Sequence, residues 1–146
     1  MKRFFKNSKG FTLVELLIVI AIIGILSTLI TANFIGVRQR SRDATRKSNL
    51  RQIQSALELY RSDQGSYPTS IPNCTTSLMS PDCTSTTYMQ KVPTDPGTSV
   101  YYTYSSDGTT YTLIACLENL NDSDKDAKNT FPCTGTSNWS FTLKNP

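Results

Sequence analysis

The residue with the clearest chemical consequence is Glu15, the only charged side chain in an apolar run from Phe11 to Val37. A carboxylate at the centre of a membrane helix costs about 2.5 to 3.5 kcal/mol on insertion scales, so Glu15 requires a partner. Cleavage between Gly10 and Phe11 would create an α-ammonium that can pair with Glu15 of a neighbouring copy. At about 4 Å and an effective dielectric constant of about 20, such a pair gains about 4 kcal/mol before desolvation. The sequence therefore predicts self-assembly through this segment.

The residues around Glu15 form a pattern with several independent parts. A short basic leader ends at the Gly10-Phe11 junction, Thr12 follows, and about twenty apolar residues continue the segment. Together they resemble the prepilin signature of type IV pilins and secretion pseudopilins over residues 1 to about 64. The resemblance implies a membrane aspartyl peptidase that cuts after Gly10 and methylates the nitrogen of Phe11, with Glu15 as a guide for the enzyme. The alternative is a plain signal anchor in which Glu15 is tolerated near the interface.

The chain divides into four segments by hydrophobicity. Residues 1–10 form a leader that is removed, residues 11–37 a helix for membrane spanning and assembly, residues 38–64 an amphipathic stem and residues 65–146 a globular head. The 27 residues of the second segment reach about 40 Å as a helix, whereas a bilayer core is about 30 Å thick. Thr12 would either add a hydroxyl to the assembly site or cap the helix.

The head combines the second half of this helix with a small antiparallel sheet. The helical stripe that would cover the sheet contains Leu50, Ile53, Leu57 and Tyr60. Strand-like residues 100–104 and 111–115 flank the turn signal Asp107-Gly108, a third strand is expected at residues 139–143, and residues 65–99 are expected to be a loop. The predicted fold class is α+β, with a long N-terminal helix packed on the sheet, and the resemblance implies the pilin fold.

Charge is distributed unevenly along the chain. The formal charge of +4 comes from the leader residues Lys2, Arg3, Lys6 and Lys9, so a chain beginning at Phe11 is neutral. Residues 38–64 carry seven basic and three acidic side chains, whereas residues 65–146 carry four basic and seven acidic ones. The basic stem of one copy would face acids of another copy or, alternatively, anionic lipid headgroups.

Four cysteines, all in the head, predict two disulfide bonds in an exported domain. Of the three possible connectivities, nearest-neighbour pairing is favoured, which joins Cys74 to Cys83 and Cys116 to Cys133. A zinc site is disfavoured because the chain has neither a Cys-x-x-Cys pair nor a histidine.

The head also contains a group of carboxylates of the kind that calcium prefers. The four candidates are Glu118, Asp122, Asp124 and Asp126. An EF-hand is excluded because Ala127 stands where glycine is needed and Cys133 where the closing glutamate would be. Residues 92–96 resemble a segment of the major pseudopilins of type II secretion. That resemblance implies a calcium-binding loop at the four carboxylates instead of an EF-hand. The alternative is a solvated acidic loop.

Catalysis finds no support in the sequence, which lacks histidine and has no Gly-x-Ser-x-Gly or phosphate-loop pattern. The tyrosines 101, 102, 104 and 111 either stack on sugars or nucleic acid bases or line the sheet. The resulting hypothesis is a structural subunit of a type IV pilus. The alternatives are a major pseudopilin of type II secretion, a subunit of a competence pilus that binds DNA, and a monomeric membrane-tethered binding module.

Resemblance to pilins also implies partners and location. The subunit would be a single-pass protein of the cytoplasmic membrane before assembly and part of an extracellular or periplasmic helical filament afterwards. Its partners would be further copies of itself, the prepilin peptidase, an assembly ATPase and a platform protein.

Overall fold

The computed structural model describes residues 10–72, 74–81, 83–126, 132–133 and 139–146, and within the helix the side chains of residues 29–33 lie outside the description. The leader residues Lys2, Arg3, Lys6 and Lys9 therefore lie outside the described residues. The chain divides into two compact units, Met1–Val37 and Arg38–Pro146.

A single helix, α1 (Leu13–Gln64), contributes residues to both units. The helix ends where the sequence predicts, at Gly65, whose φ of 77° places it in the left-handed conformation that glycine adopts without strain. The Gly65 N–H donates to the Arg61 carbonyl at 2.8 Å, which satisfies one of the last carbonyl groups of the helix. Arg61 also lies in the last turn, where a positive charge is favourable.

Among its described residues, the second unit contains two antiparallel sheets. The larger sheet has the order β3-β4-β5, and the smaller one pairs β1 with β2. The strands are β1 (Leu78–Met79), β2 (Thr87–Met89), β3 (Thr103–Ser106), β4 (Tyr111–Leu117) and β5 (Trp139–Lys144). The hairpin β3-β4 pairs Ser106 with Tyr111, and its turn is stabilised by the Asp107 carboxylate, which accepts hydrogen bonds from the N–H groups of Thr109 and Thr110.

The described part of residues 65–99 contains strands that the sequence does not predict. The expected loop contains β1 and β2, and Leu78 of β1 is fully buried in the hydrophobic core. The first hairpin strand also begins at Thr103 rather than at residue 100. The cause is a separate turn at residues 95–100, in which the Asp95 N–H donates to the Val100 carbonyl at 2.8 Å.

The core confirms the predicted stripe on the stem helix. Leu50, Ile53, Leu57 and Tyr60 are at most 5% exposed and form one hydrophobic cluster with the inward residues of β4. Alternate residues of β4 are buried, from Tyr111 to Leu117. Because full burial of an aliphatic side chain contributes about 1.5 to 3 kcal/mol, this stripe is the main reason why the helix and sheet stay together. The chain therefore has the predicted α+β fold.

Candidate functional site

The first candidate surface is the N-terminal turn of α1, where Thr12 and Glu15 form a capping box. The Thr12 backbone N–H and hydroxyl both donate to Glu15 Oε2 at 2.8 Å, and the Glu15 N–H donates to the Thr12 hydroxyl at 3.3 Å. Each side chain thus satisfies a backbone donor of the other, as in the Ser/Thr-x-x-Glu motif. The sequence argument offered capping for Thr12 alone. The spacing of Thr12 and Glu15 was the signal for the reciprocal bond.

The apolar side chains that follow Glu15 are largely exposed. Those described between Leu13 and Leu26 are between 45% and 75% exposed, and Phe34, Ile35 and Val37 are also exposed. Phe11, the residue that cleavage would place first, is 86% exposed. A helix that is apolar on all sides is typical of a buried or lipid-facing segment.

Among the helices in the described part of the chain, none is both long and apolar enough to cross a membrane. The spanning segment at residues 11–37 stays a prediction.

The second candidate site is an ion cluster that joins the stem helix to the head, which we call the Arg46 cluster. Its members are Arg42, Asp43, Arg46, Asp95 and Glu118. Arg46 Nη1 lies 2.8 Å from both Asp43 Oδ1 and Glu118 Oε1. The other edge of its guanidinium contacts Asp95, through Nε at 2.5 Å and Nη2 at 3.0 Å. Arg46 is 4% exposed, so its guanidinium group lies in the interior.

Asp43 connects the same cluster to the backbone of the head. This carboxylate is 1% exposed and accepts hydrogen bonds from the N–H groups of Glu118 at 3.0 Å and Asn119 at 2.7 Å. Glu118 also pairs with Arg42. Buried charges are stable only when paired and fully hydrogen-bonded, and the Arg46 cluster meets both conditions.

The pKa values in the Arg46 cluster are consistent with fixed ion pairs. Burial alone would raise the pKa of Asp95, but hydrogen bonds from Arg46 and from the Gly97 N–H outweigh it, and the pKa is lowered. The hydrogen bond from Arg42 lowers the pKa of Glu118, with burial opposing it. For Arg46, burial would lower the pKa, whereas hydrogen bonds to the three carboxylates raise it.

Three of the four predicted calcium ligands contact cationic side chains of the protein itself, and the fourth, Asp126, is exposed. Glu118 belongs to the Arg46 cluster, and the Lys47 ammonium contacts both Asp122 and Asp124. Among the described residues, no three side chains of the His, Cys, Asp or Glu type form a group able to hold a metal ion. The residues present therefore do not fit a calcium site in this arrangement. The calcium site itself stays a prediction.

Part of the basic stem pairs with acids of the same chain. Among the ion pairs of the described residues, Arg42, Arg46 and Lys47 of the stem bind acids of their own head. The sequence predicts that the stem faces acids of another copy or anionic lipid headgroups, and those contacts stay predictions. It did not single out Asp43, Arg46 or Asp95, for which the only local signal was the three-residue spacing of Asp43 and Arg46.

Both disulfide bonds join nearest neighbours, as the sequence favours. Cys74 is bonded to Cys83, and Cys116 is bonded to Cys133. Cys116 lies in β4, so the second bond connects the central strand to the acidic loop that follows it.

The tyrosines of the hairpin mainly line the core. Tyr102 and Tyr111 are buried, and the Tyr104 hydroxyl donates to the Pro68 carbonyl at 2.8 Å. Burial raises the pKa of Tyr104 and of Tyr111 to about 12. Tyr101 is the exposed member of the four, at 37%. This arrangement favours the packing role over base stacking.

Comparison with protein families gives two adjoining matches. Residues 5–31 match the prokaryotic N-terminal methylation motif, and residues 33–129 match type II secretion system protein G. No solved structure matches the chain.

Three curated proteins illustrate the relationship. The chain is 40% identical to the type IV major pilin protein PilA of Myxococcus xanthus over 67 residues. The aligned region covers 46% of this chain and 30% of that protein. It is 44% identical over 62 residues to the type IV wide pilus major component PilA4 of Thermus thermophilus, covering 42% of this chain and 47% of that protein. It is 28% identical over 103 residues to type II secretion system core protein G of Klebsiella pneumoniae. This aligned region covers 66% of this chain and 74% of that protein. The match thus spans less than half the length of the two pilins.

Proposed function

This chain belongs to the type II secretion system protein G family, among the type IV pilins and pseudopilins, and on that premise we propose that it is a structural subunit of a pilus-like filament. The members of the matched families are structural subunits rather than enzymes. In this proposal the leader is removed after Gly10, the nitrogen of Phe11 is methylated, and copies polymerise through the first half of α1. The filament forms from subunits held in the cytoplasmic membrane.

The main support for this proposal is the exposed apolar surface at the start of α1, which contains one carboxylate, that of Glu15. Side chains from Leu13 to Leu26 expose about half or more of their surface, which is unfavourable in water. Lipid before assembly and neighbouring helices afterwards would both cover them. Glu15 lies one turn from Phe11, so an α-ammonium at Phe11 of an adjacent copy supplies the charge that this carboxylate needs inside an apolar bundle.

Processing is tested by mass spectrometry of the mature protein from cells that contain a prepilin peptidase. We expect a chain that begins with N-methylated Phe11 and lacks residues 1–10. Replacing Gly10 by a bulky residue should leave the leader in place. An unprocessed wild-type chain in such cells would support the membrane-tethered binding module and contradict the filament proposal.

The role of the Glu15 charge can be separated from its role in capping. Glu15→Gln removes the charge but keeps an oxygen that can accept the Thr12 N–H, since glutamine also serves in a capping box. Thr12→Ala removes the cap and keeps the charge. If the ion pair guides assembly, Glu15→Gln should remain in the membrane and lose most of its sheared filament yield, whereas Thr12→Ala should retain it. A normal filament yield from Glu15→Gln would rule out the pairing role.

Among filament types, the first proposal is a type IV pilus and the second a pseudopilus of type II secretion. Two disulfide bonds suit a fibre exposed outside the cell, where thiols oxidise. The match of residues 33–129 to protein G supports the second. Deleting the gene in the native organism distinguishes them: a pilus mutant loses sheared surface fibres, whereas a pseudopilus mutant retains its exported enzymes inside the cell envelope.

The assembly ATPase, the platform protein and the peptidase remain proposed partners. DNA is a further proposed partner if the filament serves uptake, and its binding would weaken steeply as salt increases. Binding of duplex DNA by purified filaments at two salt concentrations tests this point.

A further inference from the structure

The acidic loop after β4 is bound by two lysine side chains. Lys47, on the stem helix, contacts Asp122 Oδ1 and lies 2.8 Å from Asp124 Oδ2. Lys125, within the loop, donates to the Leu120 carbonyl. The side chains of Lys47 and Asp122 are 16% and 14% exposed, so their contact is largely shielded from water.

These bonds use carboxylate oxygens of two of the four candidate calcium ligands and one backbone carbonyl of the loop. Calcium takes six to eight oxygen ligands from carboxylates, carbonyls and water. Here the two aspartates and one carbonyl of the loop already bind ammonium groups, and Asp122 Oδ1 also accepts the Asp124 N–H at 2.9 Å. A calcium ion on the same oxygens would lie against positive charges and would have to displace them.

Packing holds both lysines where they are. The Lys47 ammonium lies 5.5 Å from the ring centroid of Phe141, a buried residue of β5. The Lys125 ammonium lies 4.4 Å from the ring centroid of Trp139, at the start of the same strand. Such positions over aromatic faces favour a cation. The loop is therefore attached to the stem by Lys47 and to β5 by Lys125.

We propose that Lys47, together with Lys125, takes the place of a divalent cation in this loop, so that the head folds without calcium. Lys47 is the more important of the two because it connects elements 75 residues apart in the chain. The consequence is a subunit whose assembly does not depend on the calcium concentration outside the cell. This inference does not depend on which kind of filament the subunit builds.

The test is thermal unfolding of the full chain in detergent micelles, with and without calcium. Trp139 is the only tryptophan, and its contact with Lys125 makes its fluorescence a reporter of this region. For the wild type we expect the same Tm within about 1 °C in millimolar calcium and in EDTA. Lys47→Met leaves two adjacent carboxylates without their cation, so its Tm in EDTA should be lower by about 4 °C and should rise in calcium.

The matched control is Arg40→Met, which removes a basic residue of the same helix. Arg40 is exposed and forms no ion pair among the described residues, so this variant should keep the wild-type Tm in both buffers. Calcium binding to the wild type, measured by isothermal titration calorimetry, provides a second reading that does not require any variant to fold. Micromolar calcium binding by the wild type, or an unchanged Tm for Lys47→Met in EDTA, would overturn the proposal.

Discussion

Replacing Arg46 by methionine would remove the cation on which three carboxylates converge. Methionine has a similar length and no charge, so the variant isolates electrostatics from packing as far as one substitution can. Asp95 and Glu118 would regain partial contact with water, because their side chains are 14% and 26% exposed. Asp43 would not, since its side chain is 1% exposed.

The expected cost follows from this difference in burial. Removing one partner of a buried ion pair costs about 3 to 5 kcal/mol, because the remaining charge is left without compensation. Asp43 keeps its hydrogen bonds from the Glu118 and Asn119 N–H groups, and Glu118 keeps Arg42, which places the estimate at the lower end. We therefore expect a loss of about 3 kcal/mol in the free energy of unfolding. For a head of this size the Tm should fall by about 10 °C.

Urea unfolding of the full chain in detergent, followed by circular dichroism at neutral pH, measures this loss. Arg46→Lys should lose less than Arg46→Met, because an ammonium keeps the charge but cannot bind Asp95 through two nitrogens at once. Arg40→Met should stay within about 0.5 kcal/mol of the wild type. A loss below about 1 kcal/mol for Arg46→Met would refute the argument that this cluster holds the stem to the head.

Three further predictions concern the head. Stability should fall in acid, because folding lowers the pKa values of Asp95 and Glu118. Their contribution to the free energy of unfolding is complete above about pH 4.3 and is lost as the pH falls through the folded-state pKa values. Between pH 7 and pH 3, unfolding should therefore show a smaller loss of stability for Arg46→Met than for the wild type. Leu57→Ala, at a site with no exposed surface, should cost about 2 to 5 kcal/mol in urea unfolding, and a cost below about 1 kcal/mol would contradict its place in the core. Gly97→Ala should cost about 1 kcal/mol in the same assay. The new Cβ would lie 3.2 Å from both Arg46 Nη2 and Asp95 Oδ1, which are hydrogen-bonded to each other and cannot move apart freely. An unchanged stability would show that this pair can shift.

Local patterns in the sequence are sufficient to predict the stem helix and the hairpin β3-β4. The three- and four-residue spacing of Leu50, Ile53 and Leu57 predicts a helix with one buried face, and Gly65 predicts its end. Asp107-Gly108 predicts the hairpin turn. These signals are reliable because each depends on residues close together in the chain, where helix and turn geometry determine which side chains meet.

Boundaries in the head were predicted less well, since they depend on contacts with the rest of the domain. Strand β3 begins at Thr103 because the Asp95 N–H bonds to the Val100 carbonyl and diverts the residues before it into a turn. Strands β1 and β2 are two and three residues long and carry too little periodicity to predict. Leu78 of β1 is nevertheless fully buried in the core.

The sequence by itself determined that this chain has an apolar N-terminal helix with one carboxylate, a basic stem and an acidic head. Only the tertiary structure decided that Arg46 meets Asp95 and that Lys47 meets Asp122, residues separated by 49 and 75 positions. Net charge indicates that opposite charges are available, but an ion pair forms only where folding brings two groups within about 4 Å. That distance depends on the orientation of the helix on the sheet. The hydrophobic core determines this orientation, and no local sequence pattern encodes it.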